Sequence, residues 1–129
     1  MGLVKLDREI CLHAFATADL PYWLTSHHIT IHDNEVTSNT AQKILDRTGL
    51  RFEVQAILLS QVRVLKALVE GVNMIEKFNL LDFAFVCHRG TDCSPGGILL
   101  LAMLLYPRAK LVLHTERVVH DADLLLRAL

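Results

Sequence analysis

The chain has 129 residues, of which 52% are hydrophobic and 21% charged, a composition that indicates one folded domain and excludes a disordered tail. At this length roughly two thirds of the unfolded surface is buried on folding, so the core needs no metal or disulfide. Because 13 Lys and Arg stand against 14 Asp and Glu, the formal net charge of −1 provides no global attraction to nucleic acid or an anionic membrane. A polyanion would have to be bound locally.

The three cysteines, Cys11, Cys87 and Cys93, cannot all pair within one chain, and none belongs to a CxxC pair. We therefore predict reduced thiols, no cofactor and a cytoplasmic location. The N-terminus lacks the long apolar core of a signal peptide, and the densest apolar run, Ile98 to Tyr106, is about half a membrane-spanning length. We expect neither export nor membrane insertion.

The segment 1–20 has apolar residues at a loose helical spacing, among them Leu6, Ile10 and Ala14, which predicts a helix that docks on the domain or on a partner. Residues Tyr22 to Val36 are rich in strand-favouring side chains and form the first predicted strand, with Tyr22 and Trp23 in the core or at an interface. Next, N-cap candidates at 37–40 and Gly49 as a C-terminal residue predict a short helix.

Residues Phe52 to Phe78 carry apolar side chains at steps of three and four, which predicts one long amphipathic helix. Gly71 costs this helix about 1 kcal/mol relative to alanine and favours a bend or break there. The wholly apolar run Phe83 to Cys87 is typical of a central strand in a parallel sheet, where both faces are buried.

The last third of the chain predicts a loop, a helix, a strand and a final helix. These are, in order, His88 to Gly97, Ile98 to Tyr106, Lys110 to His114 and Asp121 to Leu129. Asp121 and Asp123 then lie at a helix start, where carboxylates favour the dipole. The alternation of elements predicts the α/β class, as a single three-layer domain over 1–129 with a small, mainly parallel sheet and flanking helices.

The loop Cys87 to Gly97 is the predicted ligand site, because ligands of open parallel sheets bind beyond the carboxyl ends of the strands. Such a loop can direct several backbone N–H groups at an anion, and the following helix dipole favours negative charge there. The candidate residues supply close backbone approach, hydroxyl donors or positive charge: Cys87, His88, Arg89, Gly90, Thr91, Ser94, Gly96, Gly97, His114 and Arg117. The alternative is an ordinary connection in which Ser94 caps the helix and the glycines form turns.

The stretch FAFVCHRGTDCSPGGILLLAMLL resembles the C-terminal domain of the RNase adapter protein RapZ, whose loop reads approximately C-T-G-G-x-H-R-S. The resemblance extends from Phe83 to Val118. Cys87, Gly90 and Ser94 match the loop, and His114 and Arg117 resemble the His-Arg pair that the family carries after its next strand.

The resemblance to RapZ implies binding of RNA or an amino-sugar phosphate, and assembly into an oligomer. This chain departs from the family pattern at three loop positions. The family's Thr, His and Arg are replaced here by His88, Asp92 and Cys93. Arg89 is the residue that would restore the missing charge.

Two other functions stay open. The loop is similar to the Cys-x5-Arg loop of cysteine-dependent phosphatases, with Cys87 as nucleophile, but Cys93 stands where the arginine would clamp the phosphate and Asp92 would repel it. The apolar helix from Ile98 and the leucines at 124–126 would instead suit a subunit interface in an oligomerisation module.

Histidine is unusually frequent at seven residues. His27, His28 and His32 lie on or near the first predicted strand, and His88 and His114 end the other two, so we expect three of them to converge on one rim of the sheet. His28 and His32 with a third ligand could form a metal site. For His13 and His120 a hydrogen-bonded or solvated side chain is the preferred interpretation.

Overall fold

The computed structural model describes residues 4–32 and 48–129, and the short helix predicted after residue 36 lies outside these ranges. Within these ranges four strands form one sheet: β1 (Cys11–Ala16), β2 (His28–Thr30), β3 (Asp82–Cys87) and β4 (Lys110–Leu113). The same residues form four α-helices: α1 (Phe52–Leu59), α2 (Val62–Phe78), α3 (Cys93–Leu104) and α4 (Glu116–Arg127). All strand pairs are parallel in the order β2-β3-β1-β4, which confirms the α/β class.

The prediction of a docking helix in the first 20 residues is wrong at its centre, because Cys11–Ala16 form the buried strand β1. Leu12 and Ala14 pack in the main core, while Phe15 packs on the opposite face of the sheet. A strand between two others is buried on both faces, so its apolar residues do not alternate simply with polar ones. The helical spacing therefore arose from a strand with two buried faces.

The strand predicted from Tyr22 to Val36 is much shorter in the described residues. Thr17–Asp19 and Tyr22–Leu24 form 3-10 turns, and only His28–Thr30 pair with β3. Tyr22 is 94% exposed and Trp23 57% exposed, so neither lies in the core. Of the two placements predicted for them, core or interface, only the interface stays a prediction.

Helices α1, α2 and α3 all bury side chains in the main core, on the face of the sheet that carries Leu12, Phe83 and Phe85. The opposite face holds a smaller cluster in which Leu24 packs against Phe15, Ala84 and Val86. Among the described residues this second face is therefore covered by the 3-10 segment and not by a long helix. Side chains on it can reach the surface.

The predicted long helix is divided at Ser60 and Gln61, and not at Gly71. The Ser60 hydroxyl donates to the carbonyl of Ile57 at 2.6 Å, and Gln61 has an extended backbone that starts α2. Serine can compete in this way for helix carbonyl groups. Gly71 instead lies inside α2, where the absence of a side chain lets the helix approach the rings of Phe83 and Phe85.

Helices α3 and α4 both begin about five residues before the positions that the sequence predicted. Cys93 to Gly97 are therefore helical and buried, and only residues 88–92 form the loop after β3. Asp121 lies inside α4 and not at its start, where its carboxylate accepts hydrogen bonds from Thr48 and Arg51. This ion pair ties α4 to the beginning of α1. Within the described ranges, none of the helices combines the length and apolarity that crossing a membrane requires.

Candidate functional site

The loop between β3 and α3 crosses the carboxyl edge of the sheet, where ligands of parallel sheets bind. In this loop Gly90 has a φ of +72°, a backbone conformation that favours glycine. A methyl group on Gly90 would lie 2.5 Å from Thr115 Oγ1 and 2.6 Å from the backbone nitrogen of Ala16. The loop therefore rests directly on the ends of β1 and β4.

The inner part of the predicted site is buried. Cys87 is 1% exposed and Ser94 is fully buried. The Cys87 thiol lies 3.2 Å from Ser94 Oγ and accepts the Ser94 backbone N–H at 3.3 Å. The Ser94 amide, at the first turn of α3, thus has a partner within the protein.

Gly96 and Gly97 are likewise buried, in the first turns of α3. A side chain on Gly96 would meet Leu58, and one on Gly97 would meet the ring of Phe85 at 2.8 Å. The backbone N–H of Gly96 donates to the carbonyl of Asp92 at 3.0 Å. These glycines let α3 pack closely on α1 and the sheet.

The outer part of the predicted site faces solvent. His88 and Arg89 are exposed, and Thr91 is half-buried in the same loop. His114 and Arg117 are also exposed, on either side of the start of α4. The structure thus divides the predicted residues into a buried set that shapes the loop and an accessible set that includes both candidate arginines.

Thr115 is the residue that links β4 to α4, and its hydroxyl points into the loop instead of capping the helix. Its Oγ1 is buried without a hydrogen-bond partner among the described residues. Buried polar atoms normally have partners. This hydroxyl therefore marks an unfilled hydrogen-bonding position at the carboxyl edge, and the sequence analysis missed it.

A chain of hydrogen bonds crosses the second face of the sheet. His13 Nε2 lies 2.9 Å from Asp82 Oδ1, and His13 Nδ1 lies 3.0 Å from His114 Nε2. Strand pairing places Asp82 at the amino edge, and His114 follows the carboxyl end of β4. The chain therefore connects a carboxylate at one edge with an exposed imidazole at the other.

Aromatic rings hold this chain of side chains in position. The His114 ring stacks on Phe15 with centroids 3.8 Å apart, and the Trp23 ring meets His13 edge-on at 5.5 Å. Partial burial, and then the neighbouring His13, lower the pKa of His114. His114 is therefore kept neutral over a wider pH range than a solvated histidine.

The lowered pKa of His114 predicts that acid destabilises the fold. At pH values between the folded pKa of His114 and its ordinary value of about 6.5, the unfolded chain binds a proton more strongly than the folded chain does. The stability that the neutral His114 contributes is therefore complete above about 6.5 and is lost as the pH falls. The free energy of unfolding, measured in urea between about pH 7 and about pH 5, should change less with pH in His114→Asn than in the parent chain. His120→Asn, on the exposed surface of α4, should follow the parent. A parent-like dependence in His114→Asn would contradict the prediction.

Of the histidines expected to converge on one rim, His32, His88 and His114 follow the carboxyl ends of β2, β3 and β4, whereas His28 begins β2. β2 and β4 are the two outer strands, so His32 and His114 lie at opposite ends of that rim. Three strand spacings of about 4.8 Å separate them. In the part of the chain that is described, no three His, Cys, Asp or Glu side chains are grouped to hold a metal ion.

Comparison of the chain with protein-family models, curated proteins and solved structures found no match.

The geometry does not favour a cysteine nucleophile. The Cys87 thiol is covered by α3 and engaged with Ser94, so a phosphorylated substrate has no approach to it. Cys93, at the position of the missing arginine, is fully buried, and Arg63 Nη1 lies 3.8 Å from its sulfur. The accessible groups of the site are the imidazoles and guanidinium groups of its exposed side chains and the hydroxyl of the half-buried Thr91. These groups suit the binding of an anion.

Proposed function

We propose that this chain is a binding domain for a phosphate-containing ligand, either RNA or a sugar phosphate, at the carboxyl edge of its sheet. The observation that carries the proposal is the contact of Gly90 with Ala16 and Thr115. It supports the exposed side chains of His88 and Arg89 over the strand ends.

In this proposal Arg89 and Arg117 provide the charge for the phosphate, with His88 and Thr91 as further donors. Guanidinium groups donate two parallel hydrogen bonds to phosphate oxygens, which suits this role. Both arginines also interact within the chain, so the ligand would share them with existing partners. Cys87, Gly90, Ser94, Gly96 and Gly97 are then residues that shape the loop.

The resemblance to the C-terminal domain of RapZ supports the same class of ligand, and it also makes assembly into an oligomer part of the proposal. Ile98, Leu100 and Leu101 of α3 are buried within the chain, so this part of α3 is already used by the domain's own core. Leu124 and Leu126 of α4 are exposed and remain the candidates for a subunit contact.

Arg89→Gln tests the proposal in titrations with inorganic phosphate and with a single-stranded RNA, each at two salt concentrations. Losing one charge-assisted hydrogen bond of about 1.5–3 kcal/mol should weaken binding at least about tenfold. The slope of log affinity for RNA against log salt concentration should become shallower by about one, as expected for the loss of one phosphate contact.

Arg127→Gln is the matched control, because it removes the same charge outside the loop, at the last residue of α4, roughly 16 Å from the start of that helix beside Arg117. Arg127 is exposed and forms an ion pair with Asp123, one turn earlier in α4, at 3.1 Å. The affinity of Arg127→Gln for inorganic phosphate and for RNA should equal that of the parent chain. Equal losses in both variants would show that binding follows net charge and not the loop, and the proposal would be rejected.

A further inference from the structure

We propose that His114 Nδ1 is a fixed hydrogen-bond acceptor beside the phosphate site, and that it selects ligands with a hydroxyl group on the carbon next to the phosphate-bearing carbon. The inference rests on the proposed function for its ligand. Its physical basis is the hydrogen-bonded chain from Asp82 through His13 to His114.

The chain of hydrogen bonds determines where the protons lie. A carboxylate can only accept, so His13 must donate from Nε2 to Asp82. When His13 is neutral, it donates from Nε2 and accepts at Nδ1, so Nδ1 receives the proton of His114 Nε2. The remaining nitrogen of His114, Nδ1, then carries a lone pair.

The orientation of the His114 ring is set by its neighbours. The His114 ring stacks on Phe15 with centroids 3.8 Å apart and an interplanar angle of 14°, which fixes the plane of the ring. The hydrogen bond to the buried His13 fixes the rotation of the ring within that plane. Asp82 thus acts as a positioning residue for His13, and His13 for His114. The partner that fixes one imidazole nitrogen also determines the role of the other.

Residues next to His114 and Phe15 in the sequence contact the loop that we propose for phosphate. Thr115, the neighbour of His114 in the chain, contacts Gly90, and Ala16, the neighbour of Phe15, contacts the same glycine. The phosphodiester of RNA carries no proton at neutral pH, and a phosphate monoester is mostly its dianion above a second pKa of about 6, so neither offers Nδ1 a proton from a phosphate oxygen. A hydroxyl next to the phosphate is the donor that would satisfy it. RNA offers its 2′-hydroxyl there, and a sugar phosphate offers a ring hydroxyl.

Two matched ligand pairs distinguish the sources of this hydroxyl. The first pair is a single-stranded RNA and the DNA of the same sequence, and the second is glucose 1-phosphate and its 2-deoxy analogue. We expect the hydroxyl-bearing member of at least one pair to bind about fivefold to tenfold more tightly, as one neutral hydrogen bond allows.

His13→Phe tests the positioning role, because it keeps an aromatic ring of similar size against Trp23 and removes the acceptor for His114 Nε2. The ligand preference should fall to about one, while thermal unfolding confirms that the variant is folded. His13→Asn should restore the preference, since its amide oxygen can replace Nδ1 as the acceptor. Nitrogen NMR of the His114 ring should show the proton on Nε2 in the parent and a mixture of tautomers in His13→Phe.

The outcomes separate this inference from the proposed function. Binding of phosphate ligands without a hydroxyl preference, or a His114 proton on Nδ1 in the parent, overturns the inference and leaves the proposed function standing. No binding of phosphate, RNA or sugar phosphate overturns both. If His13→Phe is folded and keeps the full preference, His13 does not position the acceptor and the inference is wrong.

Discussion

Replacing Phe85 by alanine is expected to destabilise the domain by about 3–5 kcal/mol, the usual cost of deleting a buried aromatic side chain. Phe85 is fully buried in β3, and its ring is perpendicular to that of Phe83 with centroids 5.0 Å apart. It also fills the space left by the absent side chains of Gly71 and Gly97. Removing the ring would leave a cavity between the sheet, α2 and α3. Urea unfolding followed by circular dichroism measures the loss.

Phe52→Ala is the control for this prediction. Phe52 is 84% exposed at the start of α1, so the same chemical change should alter the stability by no more than about 0.5 kcal/mol. A loss below about 1 kcal/mol in Phe85→Ala, or equal losses in the two variants, would contradict the placement of Phe85 at the centre of the core.

Replacing Gly90 by alanine is expected to cost about 2–5 kcal/mol and to weaken phosphate binding. A residue with a side chain pays about 1–2 kcal/mol in the left-handed region, and overpacking typically adds about 1–3 kcal/mol. The new methyl group would meet the backbone nitrogen of Ala16, which cannot move without disturbing β1. Relief of that contact would lift the loop that carries His88 and Arg89. Urea unfolding and titration with inorganic phosphate measure the two effects.

Gly71→Ala separates this effect from a general loss of glycine. Gly71 has helical neighbours in α2, and an added methyl group would lie 3.1 Å from atoms of the Phe83 and Phe85 rings, which are side chains and not backbone. Helix propensity favours alanine by about 1 kcal/mol and offsets that close approach. We expect a change within about 1 kcal/mol and no change in phosphate binding. Parent-like stability and binding in Gly90→Ala would show that the loop does not rest on β1 and β4 as described.

The accessible part of the candidate site could be predicted from the sequence, because its position depends on a local pattern. An apolar strand followed by a glycine-containing turn and a helix places His88 and Arg89 at the carboxyl edge of any parallel sheet. The pattern could not distinguish Ser94, Gly96 and Gly97 as loop residues from the same residues inside α3. Their burial depends on close packing with Leu58 and Phe85, which are distant in the chain.

The hydrogen-bonded series of Asp82, His13 and His114 could not be predicted from the spacing of these residues in the sequence. Asp82 and His13 lie on β3 and β1, and His114 follows β4, so the three side chains meet only through the register of β1 with β3 and β4. The one available signal was a polar residue in the middle of an apolar segment, at His13. That signal is hidden when the segment is interpreted as an amphipathic helix with a polar side.

Local pattern alone determined the α/β class, the central strand β3, the strand β4, the helical nature of 52–78 and the loop that follows β3, because each depends on neighbours within a few residues. Tertiary structure decided that 11–16 form a strand between two others, that the histidines of β2 lie at the opposite edge from His114, and that Asp82, His13 and His114 form one hydrogen-bonded chain. The reason is physical: strand order and register depend on how separate segments share one buried core, and the periodicity of a single segment contains no information about its partners.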